Sequence, residues 1–463
     1  MTILRWIGVI IAVIIIGGLV WLNTSPIGRI YLPAATGITA KQVCSLTFVS
    51  GLEPDRARAL YVDPLLGGAA GLVSARVDRA DTSVHSRVLG LWHQEAVFRE
   101  GHGCTLNHGR IDSFDPALTA PPQPAFEPFE LDTTHRDANF DTTALQAAVD
   151  DAFDPADADP NRNTLAVAVF HQGRLVAERY APGVTRDSRL HGWSMTKSMI
   201  ATLAGVMVED GEIELYAPDQ IDALSEWRPE LSDITLDNLL RMSYGLAAAE
   251  LNNGFDPNTD MLMTESDMPR FAATREQLHE PGAHWQYMSA NTILATHALQ
   301  TRLGDTLNAQ TQALRDRLFH PLGIYSAVLE PDESGTWQGS SYLYMTPHDW
   351  ARLGMLYLDD GMANGERLIP ADWYEYISTP TPGSGGEYGA GFWLPLAAAG
   401  LPENAVMMSG FQGQWGYIMP DQELMVVRFG ATNRTNSRSG SLAAGVLEAL
   451  QPAPAETTGP EGD

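Results

Sequence analysis

The stretch HGWSMTKSM, from His191 to Met199, determines how the rest of this 463-residue chain is interpreted. It contains Lys197, and the chain has one other lysine, Lys41, so that 27 of its 29 basic residues are arginine. Arginine stays protonated in proteins, whereas the amine of lysine can lose its proton. A function that requires a neutral amine would explain why a lysine stands at position 197.

Ser194 and Lys197 are three residues apart at the start of a predicted helix, so both side chains lie on one face. A serine hydroxyl is a weak nucleophile and needs an adjacent base. A lysine amine can serve only when neutral, which requires its pKa to fall from about 10.4 towards about 7–8 through burial or the helix dipole. The spacing therefore predicts nucleophilic catalysis by Ser194 with Lys197 as the base.

Patterns on both sides of this stretch predict a mixed α/β (α+β) fold. Upstream, TLAVAVFHQGRLVAERY consists of two apolar runs joined at Gln172-Gly173, which is typical of a β-hairpin. Apolar residues at helical spacing follow Lys197 up to a stop at Asp210-Gly211. Further on, Thr346 caps another predicted helix, YIMP and LMVVRFG form a second hairpin, and SLAAGVLEAL forms a last helix. Both ends of this region are expected to contribute to one sheet.

Three stretches resemble the motifs of a known family. HGWSMTKS resembles the first motif of the serine β-lactamase and penicillin-recognising superfamily, in its class C-like, esterase and 6-aminohexanoate-dimer hydrolase branch. WQYMSANTILATHAL resembles the second motif, and SGFQGQWGYIMPDQELMVV resembles the third. The resemblance covers about residues 140–450. It implies an antiparallel sheet flanked by helices, together with a helical region.

The resemblance also implies roles for the matched residues. Ser194 would attack the substrate carbonyl, Lys197 would hold the base, and Tyr287 would relay the proton to the leaving group. The backbone N–H groups of Ser194 and Gln414 would form the oxyanion hole. Asn291 would either orient the substrate or cap local structure. Neither a metal nor an organic cofactor is implied.

The third motif departs from the family pattern. Penicillin-recognising relatives usually carry Lys or His, then a small residue such as Thr or Ser, then Gly, whereas this chain has Phe411-Gln412-Gly413. The cation or hydroxyl that would hold a substrate carboxylate is missing, which favours small esters or linear amides over β-lactams. Phe411, Gly413 and Trp415 are candidate substrate contacts, and the aromatic residues, with Tyr417, are alternatively core residues.

Two other functions remain open from the sequence. The chain is alternatively a D-amino-acid peptidase or β-lactamase acting near peptidoglycan, or a non-catalytic scaffold of penicillin-binding type. The formal net charge of -28 argues against nucleic acid as a partner, because binding along phosphates requires a basic surface.

The N-terminal segment has the composition of a membrane anchor. Residues Trp6 to Leu22 form an uncharged run of 17 residues with a tryptophan at each end, just long enough to cross a hydrocarbon core of roughly 30 Å. We predict a single-pass anchor within residues 1–30, with the body of the protein in the periplasm at a bacterial inner membrane. A cleaved signal peptide is the alternative.

The remaining chain divides by composition. Residues 31–115 are predicted to form a small β-rich region, in which Cys44 and Cys104 either form a disulfide or are buried free thiols. Residues 116–130 contain five prolines and predict an extended linker. The hydrolase domain is expected over 131–450, and a disordered tail over 451–463.

Overall fold

A computed structural model of the chain describes residues 2–451, except 89, 91, 110–117, 154–161, 252, 395–399 and 433–439. The predicted tail beyond residue 451 and the first two residues of the predicted linker lie outside the described residues.

Helices and strands occur in runs along the described chain. The helices are α1 (Thr2–Thr24), α2 (Leu32–Phe48), α3 (Pro54–Ala57), α4 (Asp63–Leu66), α5 (Thr133–Asn139), α6 (Thr142–Phe153), α7 (Met195–Glu209), α8 (Asp222–Trp227), α9 (Leu236–Leu240), α10 (Pro257–Thr264), α11 (Met268–Ala273), α12 (Ser289–Gln300), α13 (Leu307–Leu314), α14 (Pro347–Met355), α15 (Trp373–Ser378) and α16 (Ser441–Ala449). The strands are β1 (Val73–Asp78), β2 (Ser83–Val88), β3 (Trp92–Arg99), β4 (Gly103–Asn107), β5 (Thr164–His171), β6 (Arg174–Tyr180), β7 (Leu190–His191), β8 (Val328–Leu329), β9 (Leu343–Met345), β10 (Met362–Ala363), β11 (Glu366–Arg367), β12 (Val406–Gly410), β13 (Gln414–Met419) and β14 (Leu424–Gly430).

The chain forms two compact units, and each consists of segments that are distant in sequence. The first unit contains Met1–Pro122, Gly211–Arg315 and Val328–Leu343. The second unit contains Gln123–Asp210, Asp316–Ala327 and Tyr344–Asp463. This division differs from the predicted boundary between residues 115 and 131, because residues 211–315 of the predicted hydrolase domain pack in the same unit as the N-terminal region.

The second unit is built on a five-stranded antiparallel sheet. Its strand order is β12-β13-β14-β5-β6, so that strands from both ends of the predicted hydrolase region lie side by side. One face of the sheet shares an apolar core with α6 and α16. Helices α7 and α14 also pack on the sheet. The predicted mixed fold with antiparallel strands flanked by helices is confirmed.

The first hairpin shows how local sequence specifies this sheet. Strands β5 and β6 pair across Gln172 and Gly173, which have φ angles of 52° and 70°. Two consecutive residues with positive φ form the type of turn that matches the twist of a hairpin, and glycine adopts this conformation without strain. Every residue of β5 is buried, which explains its continuous apolar sequence.

The first unit contains more helix than we predicted for its N-terminal region. Strands β1 to β4 form an antiparallel meander, as a β-rich region requires, but α2 precedes them and packs against the sheet and α10. Thirteen residues of α2 are buried, and many of them are Ala, Thr or Gly. A helix buried on all sides has no polar face, so the periodic pattern that predicts helices is absent from its sequence.

A disulfide and a buried ion pair lie together in the first unit. Cys44 of α2 and Cys104 of β4 form the disulfide. Lys41 Nζ lies 2.7 Å from Glu330 Oε2, and both side chains are fully buried. Glu330 also accepts hydrogen bonds from the Ser45 hydroxyl and from the backbone N–H of Cys104. These contacts attach α2 and β4 to the segment Val328–Leu343.

Among the described residues, no single helix combines the length and the apolar character needed to cross a bilayer. The segments Trp6–Leu22 and Ile27–Phe48 meet those criteria only as a pair, with a bend of 69° between them. The predicted N-terminal anchor stays a prediction.

Candidate active site

Ser194 lies at the junction between a short strand and a helix of the second unit. Strand β7 pairs with β9 through Leu190 and His191, and α7 begins at Met195. Between them the chain turns sharply at Trp193, whose φ angle is 47°. Ser194 occupies the N-cap position of α7, but its hydroxyl forms no capping hydrogen bond. The hydroxyl is therefore directed elsewhere.

Lys197 is the partner of that hydroxyl. Its Nζ lies 3.1 Å from Ser194 Oγ, within hydrogen-bond distance. The Lys197 side chain is 2% exposed, whereas Ser194 is partly exposed. The structure thus brings together the two residues predicted to be nucleophile and base. A serine hydroxyl within hydrogen-bond distance of a lysine amine has the geometry in which a base can activate a nucleophile.

Two glycines allow close packing around the nucleophile. A Cβ atom on Gly192 would lie 2.1 Å from Trp350 Cζ2, and one on Gly410 would lie 2.2 Å from the Gly192 carbonyl oxygen. Any larger side chain at either position would collide with its neighbour. The turn before Ser194 is therefore held tightly between α14 and the end of β12.

The turn from Phe411 to Gln414 joins β12 to β13 and is held by buried side chains. The Gln414 side chain donates to the carbonyl oxygens of Phe411 and Gly430, at 2.9 and 2.7 Å, and accepts from the Gly430 N–H. Arg428 donates to the carbonyl oxygen of Gly413. The Gln414 side chain is thus engaged within the sheet. Its backbone N–H is also used there, because Gln414 pairs with Gly410 at the closed end of the β12-β13 ladder. This pairing does not support the predicted role of the Gln414 N–H in an oxyanion hole.

A side-chain hydrogen bond connects this turn to the residue before the nucleophile. Trp193 Nε1 donates to Gln412 Oε1 over 3.2 Å. We did not identify this pair or Arg428 from the sequence. The sequence shows that Gln412 departs from the family pattern of the third motif. Its hydrogen-bond partner, Trp193, could not be inferred, because the two residues are 219 positions apart.

The candidate substrate contacts fall into different environments. Phe411 is 41% exposed and packs edge-to-face on Trp193, with ring centroids 5.5 Å apart. Gly413 has a φ of 82° and closely approaches Arg428. Trp415 is buried in the core that the sheet shares with α6 and α16.

The interpretation of Trp415 as a substrate contact is therefore corrected. Gly416 faces Met195 of α7, and successive residues of a strand point to opposite faces of a sheet. Trp415 thus points away from the face on which α7 packs. Tyr417 lies in the same core as Trp415.

The second predicted motif lies in the first unit. Tyr287 is partly exposed and precedes α12, whose first residue, Ser289, donates to Glu250 through its N–H and its hydroxyl at 3.0 and 2.8 Å. We did not identify Glu250 from the sequence, because it lies outside the motif. A carboxylate at this position interacts favourably with the N-terminus of the helix.

Asn291 is fully buried in α12. Its side chain accepts from the backbone N–H of Tyr244 at 3.4 Å and donates to the carbonyl oxygen of Met288 at 3.5 Å. Of the two roles considered for Asn291, these contacts favour the stabilisation of local structure.

Metal-ligating side chains are not clustered in the part of the chain that the structure describes. It contains no group of three or more His, Cys, Asp or Glu side chains that could hold a metal ion.

An antiparallel sheet flanked by helices, with a serine hydroxyl and a buried lysine amine at the start of one helix, is the arrangement of the serine hydrolases of β-lactamase-like fold. The sequence profile of the Beta-lactamase family matches residues 149–451, which is more than half of the chain. The chain belongs to this family, as the three motifs indicate.

Two named relatives are about a quarter identical to this chain over the matched residues. The 6-aminohexanoate-dimer hydrolase of Paenarthrobacter ureafaciens is 24% identical over 242 residues, which are 46% of this chain and 57% of that protein. Penicillin-binding protein 4 of Amycolatopsis lactamdurans is 26% identical over 277 residues, which are 52% of this chain and 68% of that protein. The match thus spans little more than half the length of the hydrolase.

Solved structures show the same fold. A Bacillus anthracis protein, described as a candidate 6-aminohexanoate-dimer hydrolase, superposes with a TM-score of 0.56 at 20% identity, covering 71% of this chain and 88% of that one. A family VIII carboxylesterase superposes with a TM-score of 0.51 at 16% identity, covering 66% and 97%. At these identities the likeness concerns the fold.

Proposed function

We propose that the protein hydrolyses a small ester or amide through a covalent acyl-enzyme on Ser194. The observation that carries this proposal is the 3.1 Å separation between Ser194 Oγ and the buried Lys197 Nζ. The names of two similar proteins, a 6-aminohexanoate-dimer hydrolase and a family VIII carboxylesterase, are consistent with a hydrolase reaction.

The reaction would proceed in two steps. Ser194 Oγ attacks the carbonyl carbon while its proton passes to the neutral Lys197 amine, and the leaving group departs with a proton relayed through Tyr287. Water then attacks the acyl carbonyl, and the proton returns to Ser194 as the acid is released. The backbone N–H of Ser194 would stabilise the negative oxygen in both steps.

The substrate is proposed to lack a carboxylate beside the scissile bond. In the motif Phe411-Gln412-Gly413 no side chain carries a positive charge, and Gln412 Oε1 accepts a hydrogen bond from Trp193. Phe411, with 41% of its surface exposed, offers an aromatic face instead. An uncharged acyl group suits this lining better than an anionic one.

A fluorophosphonate probe and a substrate panel test the proposal. The probe should label the wild-type protein and fail to label Ser194→Ala, and p-nitrophenyl esters should be cleaved faster than nitrocefin, with 6-aminohexanoate dimer as the linear-amide comparison. Equal labelling of both proteins would refute the assignment of Ser194. Absence of labelling and hydrolysis in the wild-type protein would favour a binding scaffold.

We also propose that the N-terminal helix α1 holds the protein at a bacterial inner membrane, with the catalytic region in the periplasm. Apolar side chains along α1 are solvent-exposed, including Ile10 at 55% and Val13 at 63%. Burying such surface in lipid is favourable. The double variant Ile10→Arg/Val13→Arg should move from the carbonate-washed membrane fraction to the supernatant, and unchanged fractionation would contradict the anchor.

A further inference from the structure

Strands β2 and β3 of the antiparallel meander have one face packed against α2 and one polar face. Phe98 of β3 stacks on Phe48 of α2, with ring centroids 5.3 Å apart, which identifies the packed face. Successive residues of a strand point to opposite faces, so His93 and Glu95 lie on the other face. The strand register places His85 of β2 opposite Glu95. His85 and His93 are therefore diagonal neighbours on the polar face, within reach of each other.

The two imidazole rings bring their nitrogen atoms together. His85 Nδ1 lies 3.3 Å from His93 Nε2. Two nitrogen ligands of a tetrahedral Zn²⁺ ion, each about 2.0–2.1 Å from the metal, are about 3.3 Å apart. The His135–His171 pair, whose facing nitrogens are 2.9 Å apart, instead has the length of a direct hydrogen bond. The separation in the His85–His93 pair thus matches that of two ligands of one metal ion.

Polar neighbours determine which nitrogen of His85 carries a proton. Glu95 Oε1 lies 3.5 Å from His85 Nε2, and the Ser83 hydroxyl lies 3.4 Å from the same nitrogen. Asn107 of β4 donates to the other carboxylate oxygen of Glu95 at 2.7 Å, which holds the carboxylate in place. A carboxylate attracts the proton of a neutral imidazole to the nitrogen that faces it, which leaves Nδ1 with a free lone pair. In metal sites a carboxylate commonly lies beside the ring nitrogen that does not bind the metal.

The ligand nitrogens must also be neutral and accessible. Burial and the charges of Arg87 and His85 lower the pKa of His93 below its ordinary value, while Glu95 opposes the shift. His93 is exposed, and so is 32% of the His85 side chain, so a hydrated ion can reach both rings. Arg87 and, on β1, Arg76 border the pair and oppose a cation. Both arginines are exposed, so water and salt screen their charges.

We propose that His85 and His93 bind one divalent transition-metal ion, such as Cu²⁺ or Zn²⁺, through Nδ1 and Nε2, with water completing the coordination shell. Glu95 faces the other nitrogen of His85, so it acts as an outer partner and the site has two protein ligands. Imidazole nitrogen is a preferred ligand of both ions, and with the same ligands Cu²⁺ binds more tightly than Zn²⁺. The site lies outside residues 149–451, which match the Beta-lactamase profile, and it does not depend on the proposed hydrolysis.

Titration of the metal-free, full-length protein with Cu²⁺ and with Zn²⁺, in the absence of an affinity tag, tests the proposal. A competing chelator of known affinity gives the dissociation constants. The electron paramagnetic resonance spectrum of the Cu²⁺ complex reports the nitrogen ligands. We expect one tightly bound Cu²⁺ ion per chain with two imidazole nitrogens, and weaker binding of Zn²⁺.

The variants that locate the ion are His85→Gln, His93→Gln and Glu95→Gln. Loss of an outer carboxylate weakens metal binding by about 10- to 100-fold, which is the loss expected for Glu95→Gln. Each histidine variant should lose at least as much affinity and show one nitrogen fewer in the resonance spectrum. His279→Gln is the matched control and should keep wild-type affinity. His279 and His284 also form an exposed pair, with ring centroids 4.2 Å apart.

The proposal would be overturned if the wild-type protein bound no Cu²⁺, or if either histidine variant kept wild-type affinity. A loss in His279→Gln as large as that in His85→Gln would also overturn it, because the ion would then lie elsewhere on the surface. Melting temperatures of the metal-free proteins show whether each variant folds. If one histidine variant does not fold, the other histidine variant and Glu95→Gln decide by the same criteria.

Discussion

The two lysines of this chain are both buried, Lys197 beside Ser194 and Lys41 beside Glu330. Burial disfavours a charge, and an amine can respond by releasing its proton whereas a guanidinium cannot. At position 197 this property is the one that the proposed role of the side chain as the base for Ser194 requires. At position 41 the amine is instead balanced by a carboxylate 2.7 Å away.

Lys197→Arg tests the requirement for a neutral base. The substitution retains the positive charge and much of the volume but removes the ability to lose the proton, so acylation should fall by about 100- to 10,000-fold. Stopped-flow measurement of p-nitrophenyl ester cleavage gives the rate, and circular dichroism shows whether the fold is retained. Turnover close to that of the wild type would show that another group is the base.

Gly192→Ala tests the close packing before the nucleophile. The new Cβ would lie 2.1 Å from Trp350 Cζ2, so we expect a loss of about 1–3 kcal/mol in the free energy of unfolding and slower fluorophosphonate labelling. Urea denaturation measures the first quantity. Gly71→Ala is the control, because its Cβ would have no heavy atom within 4 Å. Adding Trp350→Phe to the Gly192→Ala variant should partly restore stability. Equal stability of Gly192→Ala and Gly71→Ala would contradict the close packing of Gly192 against Trp350.

Elements with strong local signals could be predicted from the sequence. The hairpin of β5 and β6, the end of α7 at Asp210, and the cap of α14 at Thr346 follow from turn and capping residues within a few positions of each other. Helix α2 could not be predicted, because burial on all sides removes the polar face that would identify it.

One edge of the sheet contains a polar cluster that packing alone assembles. Glu178 of β6 accepts hydrogen bonds from Tyr180 at 2.6 Å and His348 at 3.0 Å, and Arg186 lies 2.7 Å away. Burial alone would raise the pKa of Glu178, but the two hydrogen bonds and the Arg186 charge lower it below its ordinary value. The cluster therefore favours the ionised carboxylate in the folded protein.

This cluster predicts how stability depends on pH. Because the pKa of Glu178 is lower in the folded protein than in the unfolded chain, its contribution is present above the unfolded pKa of about 4.3 and is lost as the pH falls through the folded pKa. Glu178→Gln should reduce the loss of stability in this acid range. The loss is the difference between the free energies of unfolding at pH 7 and below pH 4, measured by urea denaturation. Glu448→Gln is the control, because Glu448 is exposed. An unchanged pH dependence would contradict the assignment.

At the scale of the whole molecule, the course of the chain decides which residues share a unit. The N-terminal region, the segment 211–315 and a short return from Val328 to Leu343 form one compact unit. Lys41, Ser45 and the N–H of Cys104 meet Glu330 there, although Glu330 follows them by more than 220 residues. The N-terminal region is thus part of the packing of this unit.

Lys41→Met tests the contribution of the buried ion pair to the first unit. Removing the cation leaves the Glu330 carboxylate buried without it, which should lower the free energy of unfolding by about 3–5 kcal/mol. The double variant Lys41→Met/Glu330→Gln should lose less than the sum of the two single losses. Denaturation in urea provides the values. The control is Arg76→Met, which should change stability little because the Arg76 side chain is 79% exposed. A similarly small effect of Lys41→Met would contradict the stabilising role of the Lys41–Glu330 ion pair.

The family, the proximity of Ser194 to Lys197 and the elements around them could be predicted without the structure, because each of these features depends on residues within a few positions of each other. Three features are visible only in the folded chain: Trp193 bonds to Gln412, Trp415 faces the core and Lys41 pairs with Glu330. These contacts join residues more than 200 positions apart or depend on the face that a strand presents. Neither the long-range contacts nor the orientation of a strand can be predicted from local sequence, because both follow from how the elements pack.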